Sequence, residues 1–226
     1  VLVTEFVSSE GVFRRNARTR GYLDFDEIER PVGVQLFGGN EEHMAEAARQ
    51  VVEWVRPDFI DLNFGCPVNK VVAKNGGSAL LKDCPTLGKV AQAVVRAVAP
   101  LPVTAKIRIG WDDQSINAVS VAQLLESLGV AAVAVHGRTR AQGYSGAADW
   151  EVIAAVARRS PTVQFSKHRR LATSPASWRI GDAQALALAA FCHRLFHDRL
   201  SHSLRHRTRS SVPSICNRSG AGNTIW

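Results

Sequence analysis

Short apolar runs alternate with amphipathic stretches of helical length through the first 158 residues of the chain. Pro31–Gly38 (PVGVQLFG) reads as a strand. Glu41–Val55 follows as a helix, with Asn40 as its N-cap and acidic residues in its first turn. Phe59–Gly65 (FIDLNFG) is a second strand, and Pro85–Ala99 a second helix opened by proline in its first turn. Pro102–Gly110 (PVTAKIRIG), Ser115–Leu128 and Ala131–Gly137 (AAVAVHG) continue as strand, helix and strand. Asp149–Arg158 closes the series as a helix, and Leu2–Val7 reads as the end of one more strand. Strand and helix alternating in this way predict a parallel sheet covered by helices.

The pattern inside the strands separates a barrel from a doubly wound sheet. Side chains alternate faces along a strand, so Asp61, Asn63 and Gly65 share one face while Ile60, Leu62 and Phe64 share the other. Thr104, Lys106 and Arg108 likewise oppose Val103, Ala105 and Ile107. Gln35 and His136 sit opposite the branched residues of their strands. Strands of a doubly wound sheet are apolar on both faces. One face turning polar toward the C-terminal end suits a barrel whose mouth holds a polar ligand. The expected architecture is α/β, a partial (β/α)8 TIM barrel.

Charge divides the chain. Residues 1–157 carry 16 Lys and Arg against 18 Asp and Glu, whereas residues 158–226 carry 12 against 2, with five of the seven histidines. The overall charge of +8 therefore belongs to the C-terminal stretch. Residues 1–158 read as the barrel unit and 159–226 as an atypical basic tail, with one helix, Asp182–Leu195, and a disordered run, His197–Ser211. No apolar run approaches a membrane span, no secretory leader stands at the front, and the four cysteines form no CxxC pair. A cytoplasmic setting is expected, with no metal and no membrane partner.

The chemistry gathers where parallel strands end. Cys66 follows a strand between Gly65 and Pro67, and reads either as a catalytic thiol or as a small buried hydrophobe. Lys106 and Arg108 put two cations on one strand face, which favours an electron-rich or anionic ligand. Arg108 has the alternative of pairing with Asp112 or Asp113 beyond the rim. Gln35 offers its amide either to a heterocycle edge or to a neighbouring strand. His136, beside glycine at a strand end, either touches a ligand or caps the barrel. Asn69–Leu81 reads as a long glycine-containing loop whose Lys70 and Lys74 suit a polyanion or solvent. No GxGxxG, Walker, HExxH or GxSxG motif is present.

The segment Asp61–Ser78 (DLNFGCPVNKVVAKNGGS) closely resembles the signature of the tRNA-dihydrouridine synthases. So do Val3–Gly11, Val34–Gly38, Ala105–Asp112 (AKIRIGWD) and Val135–Arg140 (VHGRTR), in that family's order, from residue 1 to about 157. The resemblance implies an FMN-dependent barrel that reduces the C5=C6 bond of uridines in tRNA, with NADPH or NADH as reductant. Cys66 would donate the proton to C5. Gln35, Asn63, Lys106 and His136 match positions around the flavin ring, and Lys70, Lys74, Arg108, Arg138 and Arg140 are candidates for tRNA contacts. A monomer is expected.

The chain also departs from that family. It starts after the first strand, and Pro161–Arg170 (PTVQFSKHRR) matches neither of the two strand-end turns that hold the FMN phosphate, so the first and the last two strands are expected to be missing or replaced. With 22 Arg against 6 Lys in the chain, the Arg- and Ser-rich tail reads as disordered or as translation in a wrong frame, which the other two frames of the coding DNA would reveal. Two further readings stand beside the tRNA enzyme. One is a flavin barrel acting on free pyrimidines; the other is a non-catalytic product whose basic tail binds RNA through charge alone.

Overall fold

A computed structural model of the chain describes residues 1–160 and the backbone of Thr224–Ile225. The Asp182–Leu195 helix, the His197–Ser211 run and the Pro161–Arg170 stretch expected above lie outside the described residues.

The described strands are β1 (Leu2–Val3), β2 (Val7–Ser8), β3 (Val32–Phe37), β4 (Phe59–Phe64), β5 (Val103–Arg108), β6 (Ala132–His136) and β7 (Thr224–Ile225). The helices are α1 (Ser9–Phe13), α2 (Ala17–Gly21), α3 (Glu41–Val55), α4 (Asn69–Val72), α5 (Cys84–Val98), α6 (Ala118–Ser127) and α7 (Trp150–Arg159). Within residues 1–160 each expected strand and long helix is present, shifted at its ends by three residues or fewer, except at the front of the chain. There Leu2–Val7 is not one strand: β1 and β2 both pair with β3, at Val32–Gly33 and at Leu36–Phe37. Between them the Gln35 backbone N–H donates to Thr4 Oγ1, so a side-chain oxygen stands in for a ladder carbonyl. Asn69–Leu81, expected as a long glycine-containing loop, carries helical structure of its own. It folds as α4 and a 3-10 helix over Gly77–Lys82, tied back by Ser78, whose N–H and hydroxyl both donate to the Cys66 carbonyl.

The sheet runs β6-β5-β4-β3-β1-β7, parallel throughout except for β7 against β1. From β1 to β6 the strands follow one another in chain order. A doubly wound sheet reverses that order at a switch point, and this one does not. The result is part of a (β/α) barrel, with α3, α5, α6 and α7 on its outside. Val34, Leu36, Ile60, Leu62, Phe64, Ala105, Ile107 and Val133 face those helices and form the core with Met44, Val51, Leu87, Val90, Val94 and Leu125. Burying this apolar surface, at roughly 25 cal/mol per Å², is the main force holding sheet to helices.

Local signals start these helices where the sequence places them. The side chains of Asn40, Asp83 and Asp149 accept hydrogen bonds from the backbone N–H groups of His43, Thr86 and Val152, capping α3, α5 and α7. The inner face of the sheet is layered by register. Gly33 pairs with Phe59, whose ring occupies the space a β-carbon at 33 would need. Above that layer the inner face becomes polar.

Candidate active site

Strand register assembles the polar layer. Gln35 pairs with Asp61 and Asp61 with Thr104; one step higher Asn63 pairs with Lys106, and at the rim Arg108 pairs with His136. Because side chains repeat every second residue, these positions all point to the inner face of the barrel, toward the C-terminal ends of the strands. The period-2 pattern of the sequence is thus what brings Gln35, Asn63, Lys106 and His136 together.

Asp61 is the hub of the lower step and is only 3% exposed. Thr104 Oγ1 donates to its Oδ1 at 2.5 Å and Gln35 Nε2 to its Oδ2 at 2.6 Å. Asn63 Nδ2 donates to Gln35 Oε1 at 2.7 Å. Gln35 therefore does bond its neighbouring strand, as the plainer of its two readings held, while keeping a second amide hydrogen. Asp61 and Thr104 were legible as members of a polar face, but no motif marked them as the centre of the network.

Cys66 lies two residues beyond β4 and is 7% exposed. Its backbone is held from two sides. Asn63 Oδ1 accepts from the N–H groups of Gly65 at 3.1 Å and Cys66 at 2.9 Å, and Ser78 donates twice to the Cys66 carbonyl. Gly77, at φ +57°, passes so close that a β-carbon there would sit 2.8 Å from that carbonyl oxygen.

The cations of the site differ in what they do. Burial lowers the Lys106 ammonium to about 8, with the Arg108 charge acting in the same direction and Asp61 and Cys66 against it. Arg108 is 2% exposed. Its Nε donates to Gly65 O at 3.0 Å, and its Nη1 to Thr139 O and Gly143 O at 2.8 and 2.7 Å. It thereby ties the turn after β4 to the loop after β6, rather than pairing with Asp112 or Asp113. Its guanidinium also lies 5.5 Å from the ring of Tyr144, which is 80% exposed.

Burial pushes His136 down to about 4, helped by the charges of Lys106, Arg108 and Arg138. Arg138 Nη1 approaches His136 Nε2 at 3.3 Å. A guanidinium only donates, so Nε2 accepts and the proton of the neutral ring sits on Nδ1. Arg138 also donates twice to Gly146 O.

Outward from the rim, Lys70 on α4 and Lys74 just after it are exposed. Arg140 donates to Asn69 Oδ1 at 2.8 Å and stacks over Trp111 at 4.6 Å, while Lys82 lies over the same ring at 4.7 Å. Sequence pattern alone does not single out Trp111 and Tyr144. Their aromatic surfaces become informative only once the cations are seen beside them. Among the described residues, no group of three or more His, Cys, Asp or Glu is arranged to hold a metal ion, and no helix is long and apolar enough to cross a membrane.

Comparison with known proteins identifies the family. Residues 1–166 match the family model for dihydrouridine synthase (Dus), several residues past the point where the charge changes. The chain is 46% identical over 156 residues to tRNA-dihydrouridine synthase B of Pseudomonas aeruginosa, covering 69% of this chain and 46% of that protein. It is 42% identical over 156 residues to probable tRNA-dihydrouridine synthase 1 of Synechocystis sp., covering 69% and 43%. Against a probable tRNA-dihydrouridine synthase of Rickettsia conorii it is 51% identical over 123 residues, covering 54% and 37%. The chain spans about half the length of the curated relatives it matches. A family match across most of the chain, on a partial barrel with its polar residues at the strand ends, means that the chain belongs to the dihydrouridine synthase family.

Proposed function

We propose that this chain carries the reducing centre of an oxidoreductase that converts uridine in tRNA to 5,6-dihydrouridine, with FMN as its bound cofactor and NADPH or NADH as the source of electrons. The observation that carries the reading is Cys66, fixed by its backbone at the barrel mouth beside the Asn63–Lys106 step, in a chain of this family.

The donor set fits a flavin. Gln35 has a second amide hydrogen, Lys106 a cation in a partly buried setting, and His136 a neutral ring with a donor at Nδ1. Carbonyl oxygens and ring nitrogens of an isoalloxazine suit such donors, and Lys106 would balance the negative charge of the reduced ring. Gln35, Asn63, Lys106 and His136 are therefore the residues proposed to hold it. When bound, the reduced flavin supplies a hydride to C6 of the uracil ring.

The protein's own residues supply the rest. Adding hydride at C6 builds negative charge on C5 and O4, and a proton must reach C5 to complete the reduction. The Cys66 thiol is the proposed donor, releasing its proton to C5 and leaving a thiolate that solvent reprotonates. Lys106 steadies the transient negative charge. The target uridine must leave its stack to enter the mouth, and Lys70, Lys74, Arg138 and Arg140 lie around the rim where phosphates would pass. Arg108 serves mainly as a brace, since three of its five N–H donors go to the carbonyls of Gly65, Thr139 and Gly143.

The test is direct. Purified protein is expected to show flavin absorbance and to form dihydrouridine in tRNA lacking that base. Cys66→Ala is expected to keep the flavin band and the melting temperature while losing activity by about 100-fold or more, the usual worth of a general acid. Full activity in Cys66→Ala refutes the acid role. Protein that never takes up flavin points instead to a non-catalytic product, and activity on free uracil but not tRNA points to a reductase of free pyrimidines.

A further inference from the structure

The buried acid at the centre of the site has no part in the chemistry above, yet the chain of hydrogen bonds that reaches the Cys66 N–H through Gln35 and Asn63 takes its direction from it. An ionised carboxylate only accepts, so Gln35 must turn its amide nitrogen to Asp61, which it does at 2.6 Å. Its oxygen then faces Asn63, which must answer with Nδ2, at 2.7 Å. That leaves Asn63 Oδ1 on the far side, where it accepts from Gly65 and Cys66. Turning both amides over would set Gln35 Oε1 against a carboxylate oxygen and Asn63 Nδ2 against two backbone N–H groups. The chain of bonds therefore runs in one direction only.

We propose that Asp61 is a positioning residue. Through the amides of Gln35 and Asn63 it sets the polarity of the contacts that hold the Cys66 turn, and so places the thiol. Burial raises the Asp61 carboxyl to about 6, while Thr104, Gln35 and the Lys106 charge pull the other way, so the acid is mainly ionised near neutral pH. The relay stands on the hydrogen bonds and on an ionised carboxylate at Asp61. Only its consequence for catalysis rests on the proposed role of Cys66.

The direction of a relay can be reversed, which gives a test that a merely structural role would not pass. Asn63→Asp keeps acceptors for Gly65 and Cys66 but leaves Gln35 between two carboxylates, able to satisfy one. Adding Asp61→Asn repairs this. The new amide at 61 donates to Gln35 Oε1, Gln35 Nε2 donates to the new carboxylate at 63, and Thr104 still has an oxygen to donate to. Asp61→Asn alone keeps the original direction, because the Thr104 hydroxyl can turn to accept.

The readout is the rate at which iodoacetamide alkylates Cys66 in the full chain, followed by mass spectrometry of its peptide, together with thermal unfolding. Asn63→Asp is expected to change the rate by about tenfold, the scale of coupling within one buried network. The double variant is expected to return to within about threefold of wild type. An Asn63→Asp rate equal to wild type overturns the proposal. So does a double variant that is no closer to wild type than Asn63→Asp, or one that fails to fold. Neither flavin nor tRNA enters the assay, so the relay and the proposed reaction succeed or fail separately.

Discussion

Asn63 holds Cys66 by its backbone, its Oδ1 accepting the Cys66 N–H at 2.9 Å, so a strand residue fixes one side of the turn that Ser78 holds from the other. The two residues are three apart in sequence, yet Asn63 belongs to the rigid sheet. A sheet position limits the wander of the group it holds, which suits the proton donation proposed for Cys66.

Gly77 closes the same turn from the other side. Its φ of +57° and the 2.8 Å approach of a β-carbon to the Cys66 carbonyl both oppose any larger residue. Gly77→Ala is expected to destabilise the protein by about 2 kcal/mol and to change the alkylation rate of Cys66. Chemical denaturation and thiol labelling check the pair; a stability change without altered labelling would uncouple Gly77 from the thiol.

Arg108 is expected to matter for stability more than for binding. Arg108→Ala removes three donors to the carbonyls of Gly65, Thr139 and Gly143, at a cost of about 3 kcal/mol. Arg108→Lys should recover little, because a single ammonium cannot span the three carbonyls that the guanidinium fork reaches. Denaturant midpoints decide this, and a Lys variant as stable as wild type would count against the brace.

His136 and Asp61 pull the pH dependence in opposite directions. His136 falls from 6.5 to about 4 on folding, so its share of stability is intact above pH 6.5 and is lost as pH drops toward 4. Asp61 rises from 3.8 to about 6, so the folded state takes up its proton first and gains stability as pH drops from about 6 toward 4. Across pH 4–6 the two nearly cancel. His136→Asn removes one side of the balance, so relative to wild type it should gain stability on acidification, by at most about 1.4 kcal/mol per pH unit. Unfolding curves at several pH values test this; parallel curves for the two proteins would show that His136 protonates normally in the fold.

Lys70 stands on the short helix α4 and Lys74 on the turn that follows it. If they meet tRNA phosphates, Lys70→Ala and Lys74→Ala should weaken binding and each lower the slope of log affinity against log salt by about 1. Filter binding over a range of salt concentrations measures that slope, and an unchanged value excludes the contact.

Much of this protein can be read along the chain. The caps at Asn40 and Asp149 and the proline opening α5 mark helix starts in sequence because capping is a contact between near neighbours. The inward set Gln35, Asn63, Lys106 and His136 follows from strand alternation alone, since every second side chain must share a face. What sequence could not decide is where bonds cross between strands or return from distant loops. That Asp61 is a hub, that Arg108 braces two loops instead of pairing with Asp112, and that Asn69–Leu81 folds back onto Cys66 all depend on register and on partners 12 to 43 residues away. Periodicity says which face a residue occupies. Only the tertiary structure says which donor meets which acceptor on that face, because a buried polar group takes whatever partner the packing leaves within about 3 Å.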